Sequence, residues 1–279
     1  MKFWLIIAGS LLIFGSIMFV IVMSINGWDF SKLGASEFGT NTHKIEDSFD
    51  SIFIDTDTAN ISVLPSTDGA CRVECYEMED AKHSVSVNGN TLFVELDDER
   101  SWYEKISFGV DSPKITVYLP SSEYGSMVIK NTTGDIEVLG GYSFESIDIS
   151  LTTGDITLDG VQCSGDISSS LTTGDTQIAN AQCKSLVSKG TTGKVKLENV
   201  ICQEKLYAKS TTGDIELDGC DGTEIEIDVT TGDVIGTLLS DKIFITSTIT
   251  GDVDVPELLT GGNCKITTTT GDIIIKIKK

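Results

Sequence analysis

The chain has 279 residues, 20 basic and 42 acidic side chains and a net charge of −22. A field of that sign repels nucleic acid and anionic lipid surfaces, so both are excluded as direct ligands. Arg72 and Arg100 are its only arginines, and none lies in the last 179 residues.

Phe3 to Ile25 is an uncharged run of 23 residues rich in Ile, Leu, Phe, Val and Met. As a helix rising about 1.5 Å per residue it spans roughly 35 Å, enough to cross a bilayer. Trp4 and Trp28 flank it, where aromatic rings favour the membrane–water boundary. The alternative is a cleaved signal peptide. Those have apolar regions of about 7–15 residues and a small-x-small cleavage site, and Ser24-Ile25-Asn26 makes a poor one. Residues 1–28 therefore read as a transmembrane anchor that meets a bacterial membrane through residues 3–25. Lys2 precedes the run and Asp29 is the first charge after it. The positive-inside bias then puts the N-terminus in the cytoplasm and the C-terminal part outside, at the cell membrane by a single pass. That outer part holds the other 19 basic and all 42 acidic side chains, net −23.

Residues 29–44 are small, polar and aperiodic, and read as a linker. From Ile45 onward, alternating Val, Ile and Thr broken by Gly, Asn, Asp and Ser predict strands throughout. Residues 45–125 form an irregular β section capping one end of the repeats that begin at residue 126, with "VSVNGNTLFVEL" as a hairpin around Asn-Gly. Residues 97–112, with Trp102 and Tyr103, read as a longer loop.

Residues 126–279 repeat. The motif Thr-Thr-Gly-Asp recurs with glycines at 134, 154, 174, 193, 213, 232, 251 and 271, in steps of 19 or 20 residues. Apolar residues occupy fixed offsets from each glycine: Met127, Ile147, Ile167 and Leu186 seven before, Ile136, Ile156 and Ile215 two after, Val138, Leu158 and Leu197 four after. They alternate within each segment and change parity at the glycine and again five to six residues later, which marks two corners. The pattern predicts an all-β, single-stranded parallel β-solenoid (β-helix) with coils of about 20 residues, preceded by one transmembrane helix. The Thr before each glycine is expected to face inward. The final strand, with Ile273, Ile275 and Ile277 inward and Lys276 and Lys278 outward, is expected to end the rod and guard its edge.

The repeated acid is the candidate site: Asp135, Asp155, Asp175, Asp214, Asp233, Asp252 and Asp272, with Lys194 in its place once. Carboxylates about 5 Å apart repel by only about 0.9 kcal/mol in water, so an exposed column is tolerable. Its structural role is to accept backbone N–H bonds in the turn. A divalent-cation column is the weaker alternative, because calcium needs six to eight oxygens. No metal site, cofactor or catalytic residue is assigned. A glycan-active enzyme on this scaffold is the minor alternative, but no repeat contains His and no coil carries an insertion. The outward row four before each glycine reads Lys130, Ser150, Ser170, Lys189, Lys209, Asp228, Ser247 and Thr267, too mixed for an ice-binding face. Cys163, Cys183 and Cys202 share one inward offset and should stack as small core residues or as a disulfide pair. Cys71, Cys75 and His83 lack zinc-site spacing.

"FDSIFIDTDTANISVLPS", "YLPSSEYGSMVIKNTTGDIEV" and the tandem TTGDI units resemble the bacterial "putative adhesin" β-strand-repeat family, a domain of unknown function. The chain is similar over residues 45–277 to membrane-anchored proteins of envelope-stress operons. That resemblance implies adhesion and supplies no catalytic residues. The expected function is a non-enzymatic surface scaffold or adhesin-like interaction module, with a protein or cell-envelope glycan partner. The alternative is a regulatory or sensory partner in an envelope stress response.

Overall fold

The computed structural model describes residues 2–25, 27–28, 38–97 and 112–278. Lys2–Ile25 is a single α-helix, and Ile7–Ile25 is long and apolar enough by length and composition to cross a membrane. The remaining elements are strands in one large, mostly parallel network of 24 strands. Among the described residues, antiparallel ladders occur only in the first section, where Phe38–Ile45 lies against Cys71–Met78, Cys71–Met78 against Lys114–Leu119, and Lys82–Asn88 against Thr91–Asp97. One expectation changes. The linker over 29–44 ends early, because Phe38–Ile45 is a strand whose backbone is paired along its length; residues 29–37 lie outside the described residues. Of the loop expected over 97–112, residues 98–111 also lie outside them.

Each regular coil has a long strand, a corner and a short strand, as in Ser143–Thr153, then Gly154-Asp155, then Ile156–Asp159. Successive coils pair in parallel with like residues on like: Ile147 on Ile167, Leu158 on Ile178, Leu186 on Leu206. The inward columns are therefore continuous, and Ile147, Ile156, Leu158, Ile167 and Leu186 are buried in one shared core. No coil could bury these residues alone, so the stack is what makes each coil stable. The second corner uses left-handed backbone at Gly160, Asn180, Asn199 and Gly219, with φ between 50° and 71°. Glycine and asparagine are the residues that adopt this conformation at least cost.

The order of coils in space departs from their order in the chain at both ends. Ser51–Thr58 lies between Glu123–Thr133 and Thr91–Asp97. Likewise Asn60–Pro65 lies between Ile136–Leu139 and Lys114–Leu119. The first coil is thus one layer in from that end. At the other end Gly262–Thr270 pairs with Ile215–Thr231 on one side and Lys242–Ser247 on the other. Ile273–Ile277 is placed in the same way, with Val234–Leu238 and Val253–Asp254 as neighbours. The expectation that the last strand ends the rod is corrected: Ile273 and Ile274 are paired on both sides, and the segment 242–254 forms the tip. Apolar residues collect there. Ile245, Ile249, Val253 and Leu259 are exposed, Val253 although it pairs in register with the buried Ile273.

Candidate functional site

The Thr-Thr-Gly-Asp corner places the repeated residues. Gly154 has φ +129°, and a Cβ there would lie 2.2 Å from the Gly134 carbonyl oxygen. Both the backbone conformation and the stacking distance therefore require glycine. The Thr before it does not point inward. Thr152 and Thr153 are both exposed, as are their counterparts in neighbouring coils. Register shows why: Leu151 pairs with Leu171 and Thr153 with Thr173, while the intervening Thr drops out of the ladder. The strand bends at that Thr, so parity is lost one residue pair earlier than simple alternation predicts.

The Asp column is a hydrogen-bond ladder between coils. The backbone N–H of Asp155 donates to Asp135 Oδ1 at 2.9 Å, that of Asp175 to Asp155 Oδ1 at 2.8 Å, and that of Lys194 to Asp175 Oδ1 at 2.7 Å. It resumes from Asp233 to Asp214, from Asp272 to Asp233 and from Asp252 to Asp272. The last two links run in the exchanged order of the final coils. Asn60 Oδ1 starts the ladder by accepting from Asp135 N–H. Lys194 breaks it, and its ammonium group sits 2.6 Å from Glu216 Oε1. One oxygen of each bonded carboxylate is thus committed to an N–H of the next coil, which satisfies backbone at a corner where the strand ladder is interrupted.

The bend also shapes the surface. Between the outward row four before each glycine and the Thr row two before it runs an open groove of about 680 Å³ crossing several coils. Its first wall reads, by strand register, Asp55, Lys130, Ser150, Ser170, Lys189 and Lys209, and Asp228 follows in register just beyond the lining residues. The other wall carries Thr132, Thr152, Thr172, Thr191 and Thr211, and Asp57 and Tyr207 also line the groove. Tyr207 donates to Asp228 Oδ2 at 3.2 Å, and burial together with that carboxylate raises its phenol above the usual range. Lys130, Lys189 and Lys209 have no carboxylate partner among the described residues. Eight other lysines are ion-paired.

Two buried clusters lie away from the groove. In the first section Glu77, His83 and Cys75 come together, all buried. Sequence spacing did not reveal this set, because the tight turn closed by the Met78–Ala81 bridge folds Lys82–Asn88 back against the end of Cys71–Met78. Glu77 Oε2 accepts from the His83 backbone N–H at 2.7 Å and lies 2.8 Å from Nδ1, and Oε1 accepts from Asn41 at 2.6 Å. His83 Nε2 lies 2.9 Å from Thr56 Oγ1. Every polar group of the His–Glu pair is satisfied internally, and three donors fall short of the four of a closed zinc centre. Its work is to pin the turn that joins Cys71–Met78 to Lys82–Asn88. Farther along, Cys183 Sγ and Cys202 Sγ are 3.5 Å apart as thiols, and Cys163 is buried beside Cys183 in the stack. The hydrogen bond with Cys202 and burial raise the Cys183 thiol well above its usual range.

Stacked coils with a surface groove define a β-strand-repeat protein. The chain belongs to the Toastrack DUF4097 family, whose model matches residues 49–279. No curated protein matches it. Solved structures show similarity at low identity. A "putative adhesin" from Bacteroides fragilis NCTC 9343 is 19% identical, with 88% of this chain and 99% of that one covered and a TM-score of 0.47. A "putative adhesin" from Parabacteroides distasonis ATCC 8503 is 11% identical over 86% and 98% of the chains, with a TM-score of 0.44. A "putative cell adhesion protein" from Clostridium sporogenes ATCC 15579 is 11% identical over 87% and 100%, with a TM-score of 0.30.

Proposed function

We propose that this is a membrane-anchored, extracytoplasmic β-solenoid that acts without catalysis as an adhesin-like interaction module, holding an extended glycan along its groove. The observation that carries the reading is the groove itself, which runs across successive coils and is walled by hydroxyls and amines. Hydroxyl rows at the coil spacing of about 4.8 Å suit a linear, hydroxyl-rich polymer lying along the stack. Anchoring by residues 3–25, with the remainder outside the cell, supports the setting.

The test uses the full chain in neutral-lipid nanodiscs on an array of cell-envelope glycans, beside Thr172→Trp, which fills the groove from an exposed position. Binding by the parent and loss of binding in the variant at unchanged melting temperature are expected. Binding that persists in Thr172→Trp would remove the groove from the reading, and turnover of any glycan would remove the non-enzymatic part. A second reading, a regulatory partner of an envelope stress system, draws on the exposed Ile245, Ile249, Val253 and Leu259 at the tip, which suit a protein contact.

A further inference from the structure

We infer that the groove selects a linear glycan carrying sparse acidic groups, a ligand class that rests on the proposed groove function and sharpens it. The chain is strongly acidic, yet three lysines with no carboxylate partner among the described residues share one wall of one groove. Lys189 and Lys209 are register partners in adjacent coils. Their backbones are therefore about 4.8 Å apart, a spacing at which like charges repel. An acidic group placed between the two ammonium groups converts that repulsion into charge-assisted hydrogen bonds. Lys130 lies three coils away, about 14 Å along the stack. Ser150 and Ser170 fill the interval and offer only neutral hydroxyls.

The ends of the groove set the other limit. Asp55 lies next to Lys130 at one end, with Asp57 also in the lining, and Asp228 lies next to Lys209 in register just beyond the other. A ligand with an acid on every residue would put charge against these carboxylates and against the field of the whole chain. A neutral glycan would leave the lysine pair uncompensated. The match is a polymer with acids separated by neutral sugars, and the contacts are local enough to act within a screening length of about 8 Å at physiological salt.

The experiment measures binding of three linear oligosaccharides to the full chain in neutral-lipid nanodiscs. They are a hyaluronan fragment with a uronate on alternate sugars, a polygalacturonate fragment with one on every sugar, and an uncharged cello-oligosaccharide. The hyaluronan fragment should bind tightest. Its affinity should fall about tenfold or more in Lys189→Gln/Lys209→Gln, and change little in Lys276→Gln, an exposed lysine outside the groove. Equal or tighter binding of either other glycan overturns the inference, as does an equal loss in Lys276→Gln. A neutral glycan that binds and is displaced by Thr172→Trp would overturn the acidic ligand while leaving the groove function intact. Absence of binding by all three would end both.

Discussion

An alanine methyl at Gly154 would lie 2.2 Å from a carbonyl of the coil beneath, on backbone already at φ +129°. Gly154→Ala should therefore cost about 3 kcal/mol or more, read by urea denaturation. The neighbouring acid is more forgiving. Asp155→Ala removes the acceptor for the Asp175 N–H and should cost about 1 kcal/mol, while Asp155→Asn keeps an acceptor oxygen and should recover most of it. Millimolar calcium should leave the melting temperature of the parent unchanged, and a rise would revive the cation column. Buried thiols give a third signature at this scale. Burial pushes Cys75 and Cys264 up to about 12, and Cys71 and Cys220 up to about 11. A thiol whose folded pKa is raised keeps its proton when the unfolded chain has lost it. Stability should thus be intact below an unfolded thiol pKa of about 8.5 and decline as pH rises from there towards about 12. Thermal melts from pH 7 to 11 check the sign.

Among the elements, the tip strand Lys242–Ser247 carries one buried ion pair beside its backbone ladder. Lys242 is buried, with its ammonium group 2.6 Å from Asp221 Oδ1. Burial pushes the Asp221 carboxyl up, but Lys242, Ser240 and the Gly222 N–H outweigh it and hold the group below its ordinary range. Lys242→Met should cost about 2–3 kcal/mol, less than for a fully buried pair because the Asp221 side chain keeps 24% exposure. The double variant with Asp221→Asn should regain part of that loss. Because the folded carboxyl is depressed, its contribution is present above about pH 3.9 and disappears as pH falls below it. Melts of the parent and Asp221→Asn should converge towards pH 2. The repeat made most of these elements legible: the glycine spacing fixed the register, and Ile156 and Leu158 are buried where alternation put them. What alternation could not show was the bend at Thr152, which turns two successive threonines outward and opens the groove. Nor could spacing reveal the Glu77–His83 pair, whose partners meet across the turn at Met78–Ala81, or which lysines lack a carboxylate.

Across the whole molecule, one continuous core makes distant coils interdependent. Ile156→Asp, placing a carboxylate in that core, should abolish the cooperative melt or lower its midpoint by many degrees; an unchanged midpoint would mean Ile156 is not interior. Deleting residues 262–279 should remove hydrogen-exchange protection from 242–254 as well, because that segment's strand pairing runs through the deleted strands. Chain order alone hides this exchange of coils, since every repeat offers its neighbours nearly the same face. The one hint in the sequence is Ile249, which breaks the outer Thr row at the coil that ends up outermost.

That exchange has a consequence in time. During synthesis the segment 242–254 emerges before 262–277, while the coil holding Gly232 already presents an open edge. The early segment carries the same Thr-Gly-Asp corner and can dock there in a register that is correct for the repeat but wrong for the finished fold. The native layer order is reached only when the later segment takes that edge, so closing the tip is a competition between two near-identical claimants. Refolding monitored at the tip should show a late step that is absent from the middle coils, with residues 262–277 acting as the latch.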